Sequence, residues 1–402
     1  MQETRTTLSK ITFLLTLIVV SMILFAIIFP GFYHYFFGDY PTQLGSPFEL
    51  GHKAYLVIGS NAVLFGFGII YYKNKFSFLN SKIDKIRRFE ISKKISTIII
   101  LVILVTYAGL SSPELFLDEN EQWGDYALLQ DALELWPNTQ SDDLYLAEQL
   151  DRYVRMALLD ASVKIFQNIK VLPFLASILV VFFTYLLTLQ FTGKRIAGII
   201  AMLVLLQSHI FLTFDTIAVY ENFWVLFFMI SIYAVKRKWI LSPIFYILAV
   251  FTKAFVAPFF LMTLYFTYRS RIKKREKYFI FASYIVIILV AICIIFVGKS
   301  IYTDVIDLEP SRFFLGFADT AMQFRFDTFF TVMLLPVTIG LYLLSKNTSG
   351  TDTIHSLILG TMVFSPILIT FTYFYDILPY RHIPTMVFFA IGIGLFFAKK
   401  TK

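Results

Sequence analysis

Asp118 and Glu119 stand side by side, separated by seven or eight residues from an apolar run that ends at Leu110. A carboxylate held there, at a membrane surface, can take the proton of an acceptor hydroxyl beside a lipid head group, which is general-base chemistry. The spacing also has a structural use: Asp118 with Glu121 matches an N-cap and capping box, and Glu119 in a first turn suits the helix dipole. Lys253 is a single ammonium in the apolar run LAVFTKAFVAPFFLM, placed either at membrane depth or snorkelling to the interface. Asp215 and Glu221 fall in another polar turn, as two solvated loop acids or as positioning groups. Asp142 and Asp143 offer hard oxygen ligands to a divalent metal, or are simply solvated. Arg381 carries a planar fork suited to phosphate, with His382 beside it; an interfacial anchor next to a structural histidine is the plainer reading. His34, His52, His209 and His355 are scattered without ligand spacing.

These residues need elements that hold them in place, and composition says in what solvent. Of 402 residues, 58% are hydrophobic and 15% charged, too much apolar surface for one water-soluble core, so the chain reads as an all-α polytopic membrane protein. The net charge of +8 would suggest nucleic acid in a soluble protein. Here the cations cluster at the ends of apolar runs, which membrane orientation explains without any nucleic-acid partner. The lone cysteine, Cys293, excludes a disulfide within the chain.

A span needs about 20 apolar residues. By that measure ten spans are expected: Ile11–Pro30, Tyr55–Tyr72, Ile95–Leu110, Val171–Leu189, Ala197–Thr213, Thr216–Val235, Tyr278–Val297, Thr328–Leu344, Thr353–Tyr373 and Ile383–Ala398. Trp239–Tyr268 lies between two basic clusters and reads as a hairpin of two short helices turning near Lys253 and Pro258. The positive-inside bias places both termini, the N-terminal MQETRTTLSK included, and the basic segment Lys73–Lys94 in the cytoplasm. Lys346 and the terminal Lys399, Lys400 and Lys402 fall on the same side. The acidic segment 112–170, the loop Gly298–Asp327 and the turn Asp376–His382 then lie outside. The acidic segment carries twelve carboxylates and two amphipathic stripes. One runs from Trp123 to Trp136 and stops at Pro137; the other runs from Leu146 to Ile165, with Glu148–Arg152, Asp151–Arg155 and Asp160–Lys164 paired at i, i+4. Three parts follow: a membrane hairpin over 1–94, a core over 95–297, and a loop with C-terminal helices over 298–402.

The string LFLDENEQWGDYALLQ after an outward span resembles the start of the first external loop of GT-C membrane glycosyltransferases, the superfamily of protein O-mannosyltransferases and aminoarabinose lipid A transferases. VLPFLASILVVFFTYLLTLQFTGKRIAGIIAMLVLLQSHIFLTFDTIAVYENFWVLFF resembles their next three spans, and LAVFTKAFVAPFFLM their Thr-Lys-Gly-Pro hairpin, with Ala254 here in place of the glycine. The likeness covers Ile95 to Val297. It implies Asp118 as catalytic base with Glu119 beside it, and Lys253 near the phosphate of a polyprenyl-linked sugar, with Arg381 from YDILPYRHIP as a second phosphate clamp. Asp215, Glu221 and His382 would position acceptor or metal. The implied reaction moves a sugar from a polyprenyl- or dolichyl-phosphate donor to a protein, glycan or lipid acceptor on the outer face. No cofactor is required by this reading, and a divalent metal is compatible with it. Two other classes fit parts of the pattern: a transporter or lipid flippase using Lys253, Asp215 and Glu221 as gate charges, and a scaffold whose acidic roof binds a partner.

Overall fold

Where water is absent, backbone polar groups must be satisfied within the segment, so apolar runs fold as helices. The computed structural model describes residues 7–38, 46–73, 82, 85–119, 123–138, 141–297, 307–345, 350–371 and 378–398. Glu121, residues 1–6, most of the basic segment 73–84, the first part of the loop Gly298–Asp327, Lys346, Asp376 and the terminal lysines lie outside the described residues. In chain order the helices are α1 (Thr7–Ile28), α2 (Phe32–Phe37), α3 (Ala54–Tyr72), α4 (Lys93–Ser111), α5 (Asp125–Leu135), α6 (Leu144–Leu150), α7 (Tyr153–Phe166), α8 (Val171–Thr192) and α9 (Arg195–Leu205). They continue with α10 (His209–Thr213), α11 (Phe223–Arg237), α12 (Leu241–Thr252), α13 (Phe260–Arg269), α14 (Lys274–Val297), α15 (Arg312–Phe324), α16 (Thr328–Leu344), α17 (Thr351–Phe371) and α18 (Ile383–Leu395). Short 3-10 turns cover Ser112–Phe116, Ala254–Phe259 and Pro379–His382.

The described residues are all-α, and the composition is that of a membrane protein. Among the described residues, four helices are long and apolar enough to cross a bilayer: Thr7–Ile28, Lys93–Phe116, Val171–Thr192 and Thr351–Phe371. Two of the ten expected spans are not continuous helices. Ala197–Thr213 breaks after Leu205, where the amides of Gln207 and Ser208 bond back to Val204 (3.2 Å) and Leu205 (3.0 Å) and close the helix. Thr216–Val235 becomes helical only at Phe223. Trp239–Tyr268 is two short helices, α12 and α13, joined by the turn that begins after Lys253.

The chain divides into two compact units. One comprises 1–96, 188–210 and 306–402. In it α1 packs on α15, α16 and α17, α3 on α16, and α9 on α18. Helix α18 is apolar on every side and buried along nearly its whole length, the pattern of a core helix. Close packing is set by small residues: a Cβ on Gly316 of α15 would lie 2.4 Å from the Cα of Pro366, which sits inside α17.

The other unit comprises 97–187 and 211–305. Helix α12 packs on α11, α14 and α7, and α5 and α6 pack on each other and on α7. Tyr284 of α14 bonds Ser231 (2.7 Å) and Ser242 (3.1 Å), tying α11, α12 and α14 by a buried hydroxyl cluster. The second amphipathic stripe of the acidic segment is two helices, with Asp151 and Arg152 between α6 and α7. Its buried face is Arg155, Met156, Leu159 and Ser162; Ile165 points outward. The expected Glu148–Arg152 and Asp160–Lys164 pairs are present, the latter at 2.8 Å, whereas Arg155 turns inward, away from Asp151.

Gly316→Ala should destabilise the protein by about 1–3 kcal/mol, because the new methyl meets rigid backbone. Gly66→Ala in α3, where a Cβ meets nothing within 4 Å, should be neutral or slightly stabilising. Thermal unfolding of the two variants in detergent distinguishes them.

Candidate functional site

Between α10 and α11 the chain runs through FDTIAVYEN, residues 214–222, without helix, and every one of them is buried. Buried amides and carbonyls need partners, and here side chains from distant segments provide them. Glu119 accepts from the amides of Ala218 (2.7 Å) and Val219 (3.3 Å). Arg155 donates to the Val219 carbonyl (2.8 Å) and Ser177 to that of Asp215 (2.6 Å). Asn222 reaches back to the Phe214 carbonyl (3.2 Å) and to Ser177 Oγ (2.9 Å). Tyr220 Oη donates to Asp125 Oδ2 (3.1 Å) at the start of α5, and Trp123 packs on Phe214 and Tyr220.

The two adjacent acids therefore separate. Glu119 is buried and clamps the loop backbone; Asp118 is exposed. Burial holds the Glu119 carboxyl above its ordinary range, opposed by the Ala218 amide and by Lys170. Asp118 is not the N-cap of α5, which begins at Asp125 with Gly124 in that position. The turn preceding the pair is held from beneath. Lys170 Nζ, 3.6 Å from Glu119, donates to the carbonyls of Glu114 (3.1 Å) and Leu117 (2.7 Å). Asn168 donates to the Leu115 carbonyl (3.0 Å).

At the far end of the loop, Glu221 is shared by two buried cations. Arg155 Nε lies 3.0 Å from Glu221 Oε2, and Lys253 Nζ lies 3.9 Å from the same oxygen. Lys253 also stands over the Tyr220 ring at 5.7 Å. It is 2% exposed, so its ammonium is enclosed and does not snorkel. Lys253 is placed by a break in the helix: it is the C-cap of α12 in extended conformation, before a turn that contains Pro258.

Asp215 occupies a second polar knot. Its Oδ2 accepts from Ser111 Oγ (3.0 Å), while Oδ1 has no hydrogen-bond partner among the described residues. Thr216 donates to Glu114 (3.0 Å) beside it. Burial pushes the Asp215 carboxyl up to about 7, against the pull of the Tyr107 and Ser111 hydroxyls, and Glu114 adds to the rise.

Arg381 and His382 belong to the other unit. Arg381 donates to Tyr380 Oη (3.2 Å). His382 is buried against Phe324 (4.8 Å between ring centres) and Ser365 (3.3 Å), and burial, with Arg381, pushes its imidazole down to about 3. Asp143 caps α6 through the amides of Tyr145 (2.8 Å) and Leu146 (3.2 Å). No group of three or more His, Cys, Asp or Glu side chains with metal-holding geometry occurs among the described residues.

The sequence reading takes Asp118 and Glu119 from the acidic segment, Asp215 and Glu221 from a later polar turn and Lys253 from the hairpin. In the structure Glu119, Asp215, Glu221 and Lys253 all belong to or touch the stretch 214–222, and the supports Arg155, Lys170 and Asn222 are not singled out by the sequence. The legible signal for Arg155 was its register, on one helix face with Met156, Leu159 and Ser162. For Lys170 there was none: a lysine ahead of an apolar run reads as an interfacial anchor.

Arg155→Met removes the nearer of the two cations at Glu221 and leaves the more distant Lys253. A loss of about 3–5 kcal/mol is expected in chemical unfolding, and a loss under about 1 kcal/mol would mean that the network does not hold the loop. For Asp215 the raised folded value means that the folded state keeps a proton the unfolded chain releases near its ordinary 3.8. Its contribution is complete below that value and is lost as pH rises towards about 7. Asp215→Asn should flatten this part of the stability–pH curve, and an unchanged difference curve between variant and parent would exclude Asp215 as its source.

Comparison with protein-family models, with curated proteins and with solved structures gives no match to this chain.

Proposed function

We propose that this protein is a membrane glycosyltransferase that moves a sugar from a polyprenyl-phosphate donor to an acceptor hydroxyl at the outer membrane surface. The observation that supports it is convergence on one loop. Glu119, next to Asp118, binds the backbone at Ala218 and Val219, and Lys253 pairs with Glu221 two residues further on. An exposed carboxylate and an enclosed ammonium, far apart in sequence, are thus anchored to the same nine-residue stretch.

In the proposed step the Asp118 carboxylate takes the acceptor O–H proton as the acceptor oxygen bonds to the anomeric carbon. The bond from that carbon to the phosphate oxygen breaks, its electron pair leaves with the lipid phosphate, and the configuration inverts. Lys253 balances the departing phosphate's charge in a site of low dielectric, where such a charge is worth most. Glu119 and Lys170 act as positioning residues for the turn that carries Asp118. Arg381 and His382 are left out of the step, and so is a metal.

The enclosure of Lys253 favours one second reading, a transporter in which the Arg155–Glu221–Lys253 network is a gate. Two variants separate the readings. Asp118→Asn should lower sugar transfer from a lipid-phosphate donor by about 10²–10⁴-fold with expression and melting unchanged; full transfer activity would remove Asp118 from the chemistry. Lys253→Met leaves Arg155 and Glu221 as a one-to-one pair, so the fold should survive while the apparent KM for donor rises more than that for acceptor. Equal effects on both substrates would remove the phosphate contact.

A further inference from the structure

Residues 85–95 read KIRRFEISKKI, five cations against the single acid Glu90. The segment is strapped down by contacts within its own unit. Lys194 Nζ donates to the Arg87 carbonyl and to that of Phe89 (3.4 Å), and Arg87 Nε donates to the Phe396 carbonyl (3.3 Å). Glu90 accepts from the Arg195 amide (3.1 Å), and the Arg195 guanidinium donates to the Ile91 carbonyl (3.3 Å). These bonds occupy Arg87 and Glu90 and fix the strap's outer face. On that face Lys85, Arg88, Lys93 and Lys94 are exposed, and so are Ile86 (53%) and Phe89 (56%).

Apolar side chains held outward among cations are unfavourable in water and favourable at a membrane boundary, where acyl chains take the rings and head-group phosphates take the charges. An acidic protein or a nucleic acid would match the cations but leave Ile86 and Phe89 in water. The strap also leads directly into α4, which begins at Lys93 and is among the helices of spanning length.

We propose that the strap 85–95 is a docking surface for anionic phospholipid, with Lys85, Arg88 and Lys94 on head-group phosphates and Ile86 and Phe89 in the acyl boundary. The inference needs a bilayer around the chain and is independent of sugar transfer.

The test is native mass spectrometry of the full chain released from micelles containing equal phosphatidylglycerol and phosphatidylcholine. Lys85→Gln/Arg88→Gln/Lys94→Gln should retain phosphatidylglycerol on the order of a hundredfold less well than the parent, since each of the three cations near such a surface is worth roughly fivefold. Phe89→Ser should reduce retention of both lipids several-fold without a change of charge. Lys273→Gln/Lys274→Gln/Arg275→Gln, the same charge loss at another basic cluster, should reduce phosphatidylglycerol retention clearly less than the strap variant does. Parental retention by the first triple variant, equal loss by the second, or an unaffected Phe89→Ser would each overturn the proposal. Melting curves matching the parent show that each variant is folded.

Discussion

A stretch of backbone that leaves the helix inside an apolar protein has to find hydrogen-bond partners among side chains, because water is not there to supply them. Residues 214–222 are such a stretch, and much of the second unit follows from meeting that need. Only certain groups can do it. A carboxylate accepts from two successive amides, as Glu119 does at Ala218 and Val219, and a guanidinium donates to a carbonyl while keeping charge to spare, as Arg155 does at Val219. Bringing those charges out of water is itself costly unless they are paired. Glu221, inside the loop, answers Arg155, and Lys170 answers Glu119.

The same constraint accounts for how the reactive candidates are held. Glu119 is fixed by the loop and Lys170 fixes the carbonyls before it, so the turn carrying Asp118 is defined on both sides of the acid while its side chain faces outward. A base needs a defined position, and it needs to be reached; the adjacent pair divides those two requirements between its members. Lys253 shares a carboxylate with a closer guanidinium. In the proposed reaction an entering phosphate competes with Glu221 only for the more distant cation, and Arg155 keeps the loop in place.

The first unit is held in a different way. Its helices approach closely where small residues allow it, as at Gly316 against Pro366 and at Gly394, whose Cβ would lie 2.5 Å from Thr188 Cγ2. Dispersion between well-fitted apolar surfaces contributes there, beside buried bonds between helices: Thr16 Oγ1 donates to the His355 carbonyl (3.3 Å), and His355 Nε2 lies 3.0 Å from the Thr338 carbonyl. His382 belongs to this packing: an aromatic ring at 4.8 Å and a serine hydroxyl at 3.3 Å account for it as a core histidine.

The sequence alone determined the all-α class, the membrane solvent, the helical character of the acidic segment, though not the interruption of its second stripe at Asp151 and Arg152, and the break at Lys253. All of these follow from composition, apolar periodicity and a proline, which are properties of neighbouring residues. Tertiary structure alone decided that FDTIAVYEN is not helix, that α9 ends at Leu205, that Arg155 faces inward, and that Glu119 is a clamp while Asp118 is open. Hydropathy reports the transfer free energy of each residue and says nothing about who its hydrogen-bond partner is. Glu119 and the Ala218 amide are 99 residues apart in the chain. A bond between them can override the local helical preference of an apolar run only once the fold has brought both ends together.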